Sequence, residues 1–523
     1  MNTAHFDRWF GAAVALGVLL SSACSNSQNS AAPSGNQTLI VEQAFSYDTL
    51  DPGRGVNQTT AMVDKSIYDT LLTLNARDLS KPYPALATSY TVSPDGKTFT
   101  FQLRHGVKFA SGNPLTSADV VWSLSRLENL QSPGAVVMNG LTASAPDPFT
   151  VVLTSAAPNP AVPIIMTQSN GGILDSKLVQ QHGGTNDTTD KAEDYLNTSA
   201  AASGPYMTDS VDRTSQIILK ANPNYWGPKP VYGTVILRNV PSASQQLDIQ
   251  DGQAQLALNI STQDVASLNS TKVNVIAAAT ADQLFVALNA DPSVSKLTAD
   301  PNFREAVRYG MDYTGLLALA GKGAVQEPGF VPVGLVGALP ASEATKRDVT
   351  RAKAALAKVG IANPTVVLDY PNDFALDGLL ILPFVTKIQN DLKEVGITVT
   401  LVGTPTSIHY DKVHQGKVQM WVTWNPADYP DPSDFLVETP GNVFGQFLNW
   451  NAGMDPSLDA MVAKASSATQ ATDRNLAYQA LQRAMNATGY FDFILQPGKT
   501  LVAAKSVKVA LNPFTSVDFG SVA

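Results

Sequence analysis

The chain has 523 residues, 44% of them hydrophobic and 15% charged, so it is globular over most of its length and long enough for roughly two to four domain-sized units. A formal net charge of −9 with no long basic run sets the protein's own field against a nucleic-acid partner, and that class is excluded.

The first feature in chain order is "GAAVALGVLL", Gly11 to Leu20, an apolar run well short of the roughly twenty residues that a membrane helix needs. "SSAC" follows it, which gives a secretory signal over residues 1–23 with a cleavage site before Cys24. Cys24 is the only cysteine in the chain and sits just after small residues, so the segment resembles a bacterial lipoprotein signal. Ser21 stands where the usual lipobox has leucine, and Leu20 lies one residue further back; the other reading of Cys24 is a lone buried thiol. Acylation there would make Cys24 the new N-terminus, anchored to the membrane, with residues 24–36 as a polar, flexible tether. No thiol is left over for disulfides, metal binding or nucleophilic chemistry.

After the tether, "TLIVEQAF" predicts a strand, and "TLDPGRG" ends it in a turn dictated by Pro52, Gly53 and Gly55. "SPDG" predicts a hairpin turn, and the alternation in "KTFTFQLR" puts Phe99, Phe101 and Leu103 on one buried face. "TSADVVWSLSRL" opens a helix that Thr116 or Ser117 can cap, with Asp119 in its favourable first turn. Further on, "VYGTVILRNVPSASQQLDIQDGQAQLALNI" predicts strand, helix and strand. "DVTRAKAALAKVG" and "LLILPFVTKIQNDLKEVG" predict two helices closed by Gly360 and Gly396, and "ITVTLVGT" a strand. "LVAAKSVKVALNP" predicts strands at the end of the chain. The pattern is a mixed α/β protein.

The order and spacing of "LATSY…SPDGKTFTFQLRHGVKFASGNPLTSADV" resemble the family 5 extracytoplasmic solute-binding proteins, the peptide and nickel receptors of ABC transporters. "TLDP", "YDTLLTLN", "SGPY", "LKANPNYWGPKP", "DPNFREAVRYGMD" and "WNPADYPDP" extend the likeness in order over about residues 37 to 520. The resemblance implies a two-lobed periplasmic-binding-protein-like α/β fold of type II, from the large cluster with an extra subdomain, with a hinge and an interlobe ligand cleft. It implies lobe I over 37–67 and 204–290, the subdomain over 68–203, lobe II over 291–495 and a return to lobe I over 496–523. It also implies a monomeric receptor outside the cytoplasm, without cofactor, that hands an oligopeptide or other small solute to ABC permease subunits.

Enzymatic patterns are missing. "PGKT" at residues 497–500 lacks the first glycine of a phosphate loop, since Phe493 stands there. His409 and His414 are five apart with no HExxH acid, and read as solvated helix residues; no histidine and acid cluster for nickel is evident. No G-x-S-x-G elbow or Rossmann glycine pattern occurs, although a secreted hydrolase working with two carboxylates stays open.

The densest chemistry is in "WNPADYPDPSDFL", residues 424–436, where three prolines enforce a rigid loop carrying aromatics and acids. In peptide-binding family members an aspartate shortly after a tryptophan pairs with the ligand's α-ammonium. The resemblance carries that role to Asp428, one residue further from Trp424 than usual; the alternative is that Asp428 organises the turn and Trp424 only packs. Asp431, before Pro432, reads as a turn residue. The expected ligand contacts are Asp428, Trp424, Asn425 and Tyr429, with Asn57 and Gln496 from lobe I. Dipeptide-specific members carry an arginine where this chain reads "GLLILPFVTK". Its absence turns the reading toward a longer peptide, leaving an oligosaccharide or opine-like solute open.

Overall fold

The computed structural model describes residues 37–523 apart from 77, 200, 262, 263, 377 and 378, so the signal segment, the tether and Cys24 lie outside the described residues. No helix among the described residues is long and apolar enough to cross a membrane.

Two large sheets organise the chain. The first orders its strands as Val273–Ala279, Gly498–Ala504, Leu256–Ala257, Gln37–Gln43, Tyr232–Asn239, Gln216–Ala221 and Tyr206–Asp212. The first strand, Gln37–Gln43, runs parallel to Tyr232–Asn239, and its Leu39 and Val41 are fully buried, as an inner strand covered on its faces requires. The second sheet orders Val325–Gln326, Phe491–Gln496, Gln283–Leu288, Met420–Asn425, Thr365–Pro371 and Thr398–Thr404. In Gln283–Leu288 every residue is buried: Leu284, Val286 and Leu288 enter one core, Phe285 and Ala287 the opposite one.

Helices cover both faces of this second sheet. Asp300 caps Pro301–Gly310 by accepting from the Asn302 backbone N–H at 2.7 Å, with proline at the first helical position. Val349–Val359 and Leu382–Val395 both stop at glycines with positive φ, Gly360 at 73° and Gly396 at 100°, as a left-handed C-cap demands.

A four-stranded antiparallel sheet, in the order Ala87–Val92, Thr98–Leu103, Thr150–Ser155, Leu141–Asp147, forms a smaller unit on its own core of Phe99, Phe101, Leu103, Val151 and Leu153. Asp119 accepts from the Thr116 backbone N–H at 2.9 Å at the start of the helix Ser117–Asn129, whose Val120 and Leu124 close this core. The buried Arg126 of that helix reaches back to the "TLDPGRG" turn, bonding Asp51 at 2.8 and 2.6 Å and Asp190 at 2.8 and 2.9 Å. The unit is thereby tied to the first sheet's lobe through a buried guanidinium that donates four hydrogen bonds to Asp51 and Asp190.

Sheet membership locates the crossings between lobes. Val273–Ala279 belongs to the first sheet and Gln283–Leu288 to the second, so the chain crosses at residues 280–282, earlier than the change after 290 expected from sequence. It returns between Gln496 and Gly498. The final stretch "LVAAKSVKVALNP" is a strand only as far as Ala504, and Gly498, Lys499 and Thr500 of the preceding "PGKT" open that strand.

One histidine departs from expectation. His414 is exposed, but His409 is fully buried, facing the Trp421 ring at 6.1 Å, with both ring nitrogens unbonded. Burial and the nearby Lys412 hold its imidazole neutral, with the pKa lowered to about 4. Its helix, Thr406–His414, turns His409 and Val413, one turn apart, toward the sheet, and this face decides burial where residue type suggested solvent.

Candidate ligand-binding site

The loop after Met420–Asn425 is where the second lobe meets the small subdomain. Pro426, Pro430 and Pro432 deny it helical or ladder hydrogen bonds, and its geometry is held by carboxylates instead. Oδ2 of Asp434 accepts the backbone N–H of Asp428 at 2.8 Å and that of Tyr429 at 3.4 Å. Oδ1 of Asp282, at the interlobe crossing, accepts the N–H of Ala427 at 3.0 Å. Oδ1 of Asp431 accepts the Ser433 backbone N–H at 2.9 Å, as a turn residue does, but the side chain is also buried and pairs with both Nη atoms of Arg474 at 2.9 and 2.5 Å, a long-range tie that the sequence did not suggest. Tyr429 packs its ring against the apolar core of the subdomain.

These acids do not share one environment. Asp428 is exposed at the loop surface, yet the surrounding protein displaces enough water to raise its carboxyl above the ordinary range. Asp434 beneath it is raised well above that range, by burial first and then by the charge of Asp428. No cation among the described residues forms an ion pair with either.

A second layer lies deeper. Gln283 and Asn425 face each other across the antiparallel pair, and the amide of Asn425 donates to Glu438 at 3.0 Å while that of Gln283 donates to Glu327 at 2.7 Å. Both glutamates are buried, each leaves Oε2 without a partner, and burial pushes both carboxyls well above the usual range.

The structure distributes the remaining expected contacts differently. Trp424 is fully buried in the core, edge-on to Phe384 with centroids 5.6 Å apart, so it offers no face to a ligand. Asn425 reaches the loop only through Gln283 and Glu438. Asn57 starts the helix Gln58–Ile67 and donates to Asp48 at 3.0 Å. Gln496 is buried at the return crossing, donating to the Thr280 carbonyl at 2.6 Å and accepting from the Val333 N–H at 2.7 Å, so its amide serves the crossing. Sequence reasoning missed Asp434, Glu438, Glu327 and Asp282. Asp434 was visible as the third acid of the loop; the others carried no local signal.

A cavity of about 650 Å³ lies between the lobes, lined by Ala44, Ser242, Asn259, Lys499 and Thr500 on one side and by Leu319, Leu380 and Phe384 on the other. Its size fits a small-molecule or peptide site. Phe384, which touches Trp424 at the root of the acidic loop, is part of its wall.

Residues 81–443 match the family described as bacterial extracellular solute-binding proteins, family 5 Middle. The chain belongs to this family. Among curated relatives of this solute-binding protein, the probable D,D-dipeptide-binding periplasmic protein DdpA of Escherichia coli K12 is 27% identical over 90% of both chains. Glutathione-binding protein GsiB of an E. coli O6 strain is 27% identical over 65% of this chain and 63% of its own. Among solved structures, the ABC transporter substrate-binding protein CtaP of Listeria monocytogenes superposes with a TM-score of 0.80 at 18% identity, covering 93% of this chain and 99% of that one. DppA of Helicobacter pylori, in complex with the peptide STSA, gives 0.71 at 21% identity over 93% and 98%. The fold is therefore that of the family's two-lobed extracytoplasmic solute-binding proteins.

Proposed function

We propose that this receptor captures an oligopeptide outside the cytoplasm, closes its lobes over it and presents it to the permease of an ABC importer. The observation that supports the peptide reading most is the pair of raised carboxyls at Asp428 and Asp434, which meet no cation in the protein. An α-ammonium would supply the missing charge where water is already thinned out. The names of DdpA and GsiB, and the peptide held by DppA, agree with that choice. An oligosaccharide is disfavoured because Trp424, the aromatic best suited to stack on a sugar, is buried.

Closure works by differential affinity: a ligand touching both lobes lowers the free energy of the closed arrangement alone, and only that difference shifts the population. A micromolar constant, about −8 kcal/mol, suits such a role. The chain acts as a monomer, turns nothing over, and is held at the membrane by lipid on Cys24, outside the described residues. Native mass spectrometry of the purified receptor tests the solute: a ladder of co-purified peptides is expected, and a sugar or opine mass overturns the reading. Recovery of chemically altered peptide after incubation would overturn the absence of turnover. Cys24→Ala should move the protein from the membrane to the soluble fraction.

A further inference from the structure

The two walls of the interlobe cavity differ in kind. On the first lobe's side the polar groups are already engaged. Oδ1 of Asn259 accepts from the Ala44 N–H at 2.8 Å, the Ser242 hydroxyl donates to the Asn259 carbonyl, and the Ser261 hydroxyl donates to Asp264 at 2.7 Å. The Thr500 hydroxyl donates to the Ile260 carbonyl at 3.2 Å. Lys499 is only 7% exposed and already has a partner in the protein.

On the second lobe's side stand Leu319, Leu379, Leu380, Pro383 and Phe384, with no arginine in the lining. Leu319 is 41% and Leu380 52% exposed, so leucines of the cavity wall meet water, and Leu382, two residues further on and outside the lining, is 52% exposed as well. Isolated exposed leucines need no explanation, but a contiguous group walling an interlobe cavity does. The residues come from the helix Tyr313–Ala320, the short strand Leu379–Leu380 and the start of the helix Leu382–Val395. The last two are the stretch "GLLILPFVTK".

We infer that this wall is a specificity subsite for a bulky apolar side chain at the end of the ligand remote from its ammonium, and that the ligand needs no free carboxylate there. The inference rests on the peptide reading for the rest of the ligand. Phe384 belongs both to this wall and to the core contact with Trp424 that precedes the acidic loop. Because the hydroxyls of Ser242, Ser261 and Thr500 and the side-chain oxygen of Asn259 already bond within the protein, the leucine wall is the larger surface left to gain by excluding water, and the hydrophobic effect selects its occupant.

The test is a mass-encoded pool of tri- to hexapeptides with free N-termini, half of them C-terminally amidated, incubated with the wild type, Leu319→Asp and Leu380→Asp. Both leucines are part-exposed, so unchanged melting temperatures are expected and serve as the folding control. The wild type should retain peptides enriched in Leu, Ile, Met or Phe at one distal position, with amidation altering retention less than about twofold. Each aspartate variant should lose that enrichment by about tenfold or more, the range expected for one apolar side chain left unburied. Retention that depends on a free carboxylate, shows no apolar preference, or keeps the preference in both variants overturns the subsite.

If the wild type retains no peptide, the peptide reading fails on its own, and N-phenyl-1-naphthylamine reads the subsite. Fluorescence enhancement by the wild type that the variants lose supports it; equal enhancement in all three proteins, or none in any, overturns it.

Discussion

Asp434 sits directly beneath Asp428 and accepts its backbone N–H at 2.8 Å, so two carboxylates share one partly dehydrated site and the charge of one raises the pKa of the other. If the site holds an ammonium, Asp428→Asn should weaken binding of a free-amine peptide by at least about 1 kcal/mol, and by about 3–5 kcal/mol where lobe closure removes the remaining water from the pair. The empty protein should keep or slightly raise its melting temperature, because a like-charge contact is relieved. N-acetylation of the peptide should reproduce the loss on the wild type and add little to the variant. Calorimetry on the four combinations decides it, and additive losses would remove the ammonium assignment.

The same pair predicts proton release. A carboxyl whose folded pKa is raised holds a proton in the empty protein at pH values where its unfolded counterpart has lost it. The native state then binds more protons, and stability falls as pH rises from the unfolded value toward the folded one. Asp434, Glu438 and Glu327 all shift in this direction, chiefly through burial. An arriving ammonium favours the ionised forms, so affinity should climb with pH across that window and protons should appear on binding. Calorimetry in two buffers of different ionisation enthalpy measures them; a heat independent of buffer contradicts the linkage.

Arg126 is 1% exposed and holds two carboxylates, Asp51 and Asp190, that have no water to turn to. Arg126→Met should cost about 3 kcal/mol in urea unfolding, the low end for a broken buried pair, because Asp51 and Asp190 each keep Arg54 as a partner at 3.1 and 2.9 Å. Ligand affinity should change far less, since the bonds join the subdomain helix to the first lobe, away from the acidic loop. A loss of affinity without loss of stability would mean that this network belongs to the site.

His409 gives a pH effect of opposite sign. Its folded pKa of about 4 lies below the unfolded value, so the unfolded chain binds the extra proton, and stability falls as pH drops from about 6.5 toward 4. His409→Leu should flatten this limb and add on the order of 1–3 kcal/mol at pH 4 relative to wild type. Thermal melts of both proteins from pH 4 to 8 measure the difference. Parallel curves would place a proton-accepting partner beside the ring.

Local patterning and order were legible in the sequence alone. The alternation that buries Phe99, Phe101 and Leu103, the Thr116–Asp119 cap, the stops at Gly360 and Gly396, and the blocks that mark the family all depend on neighbours a few residues apart. The rigidity of "WNPADYPDP" was equally local, since proline acts on its own backbone.

Only the tertiary structure decided which side chains lose water and which charges meet. The packing of Phe384 against Trp424 turned an expected ligand contact into core, and a helix face laid on the sheet buried His409. The crossing of the chain between lobes committed Gln496 to the backbone. Glu327 and Glu438, distant in sequence, become electrostatic neighbours because the strands that precede them lie in one sheet. Hydrophobic period states that a face is covered but not by what, and a carboxylate's pKa depends on what covers it. For this reason the acidic loop could be picked out from the sequence, while the partners of its carboxylates could not.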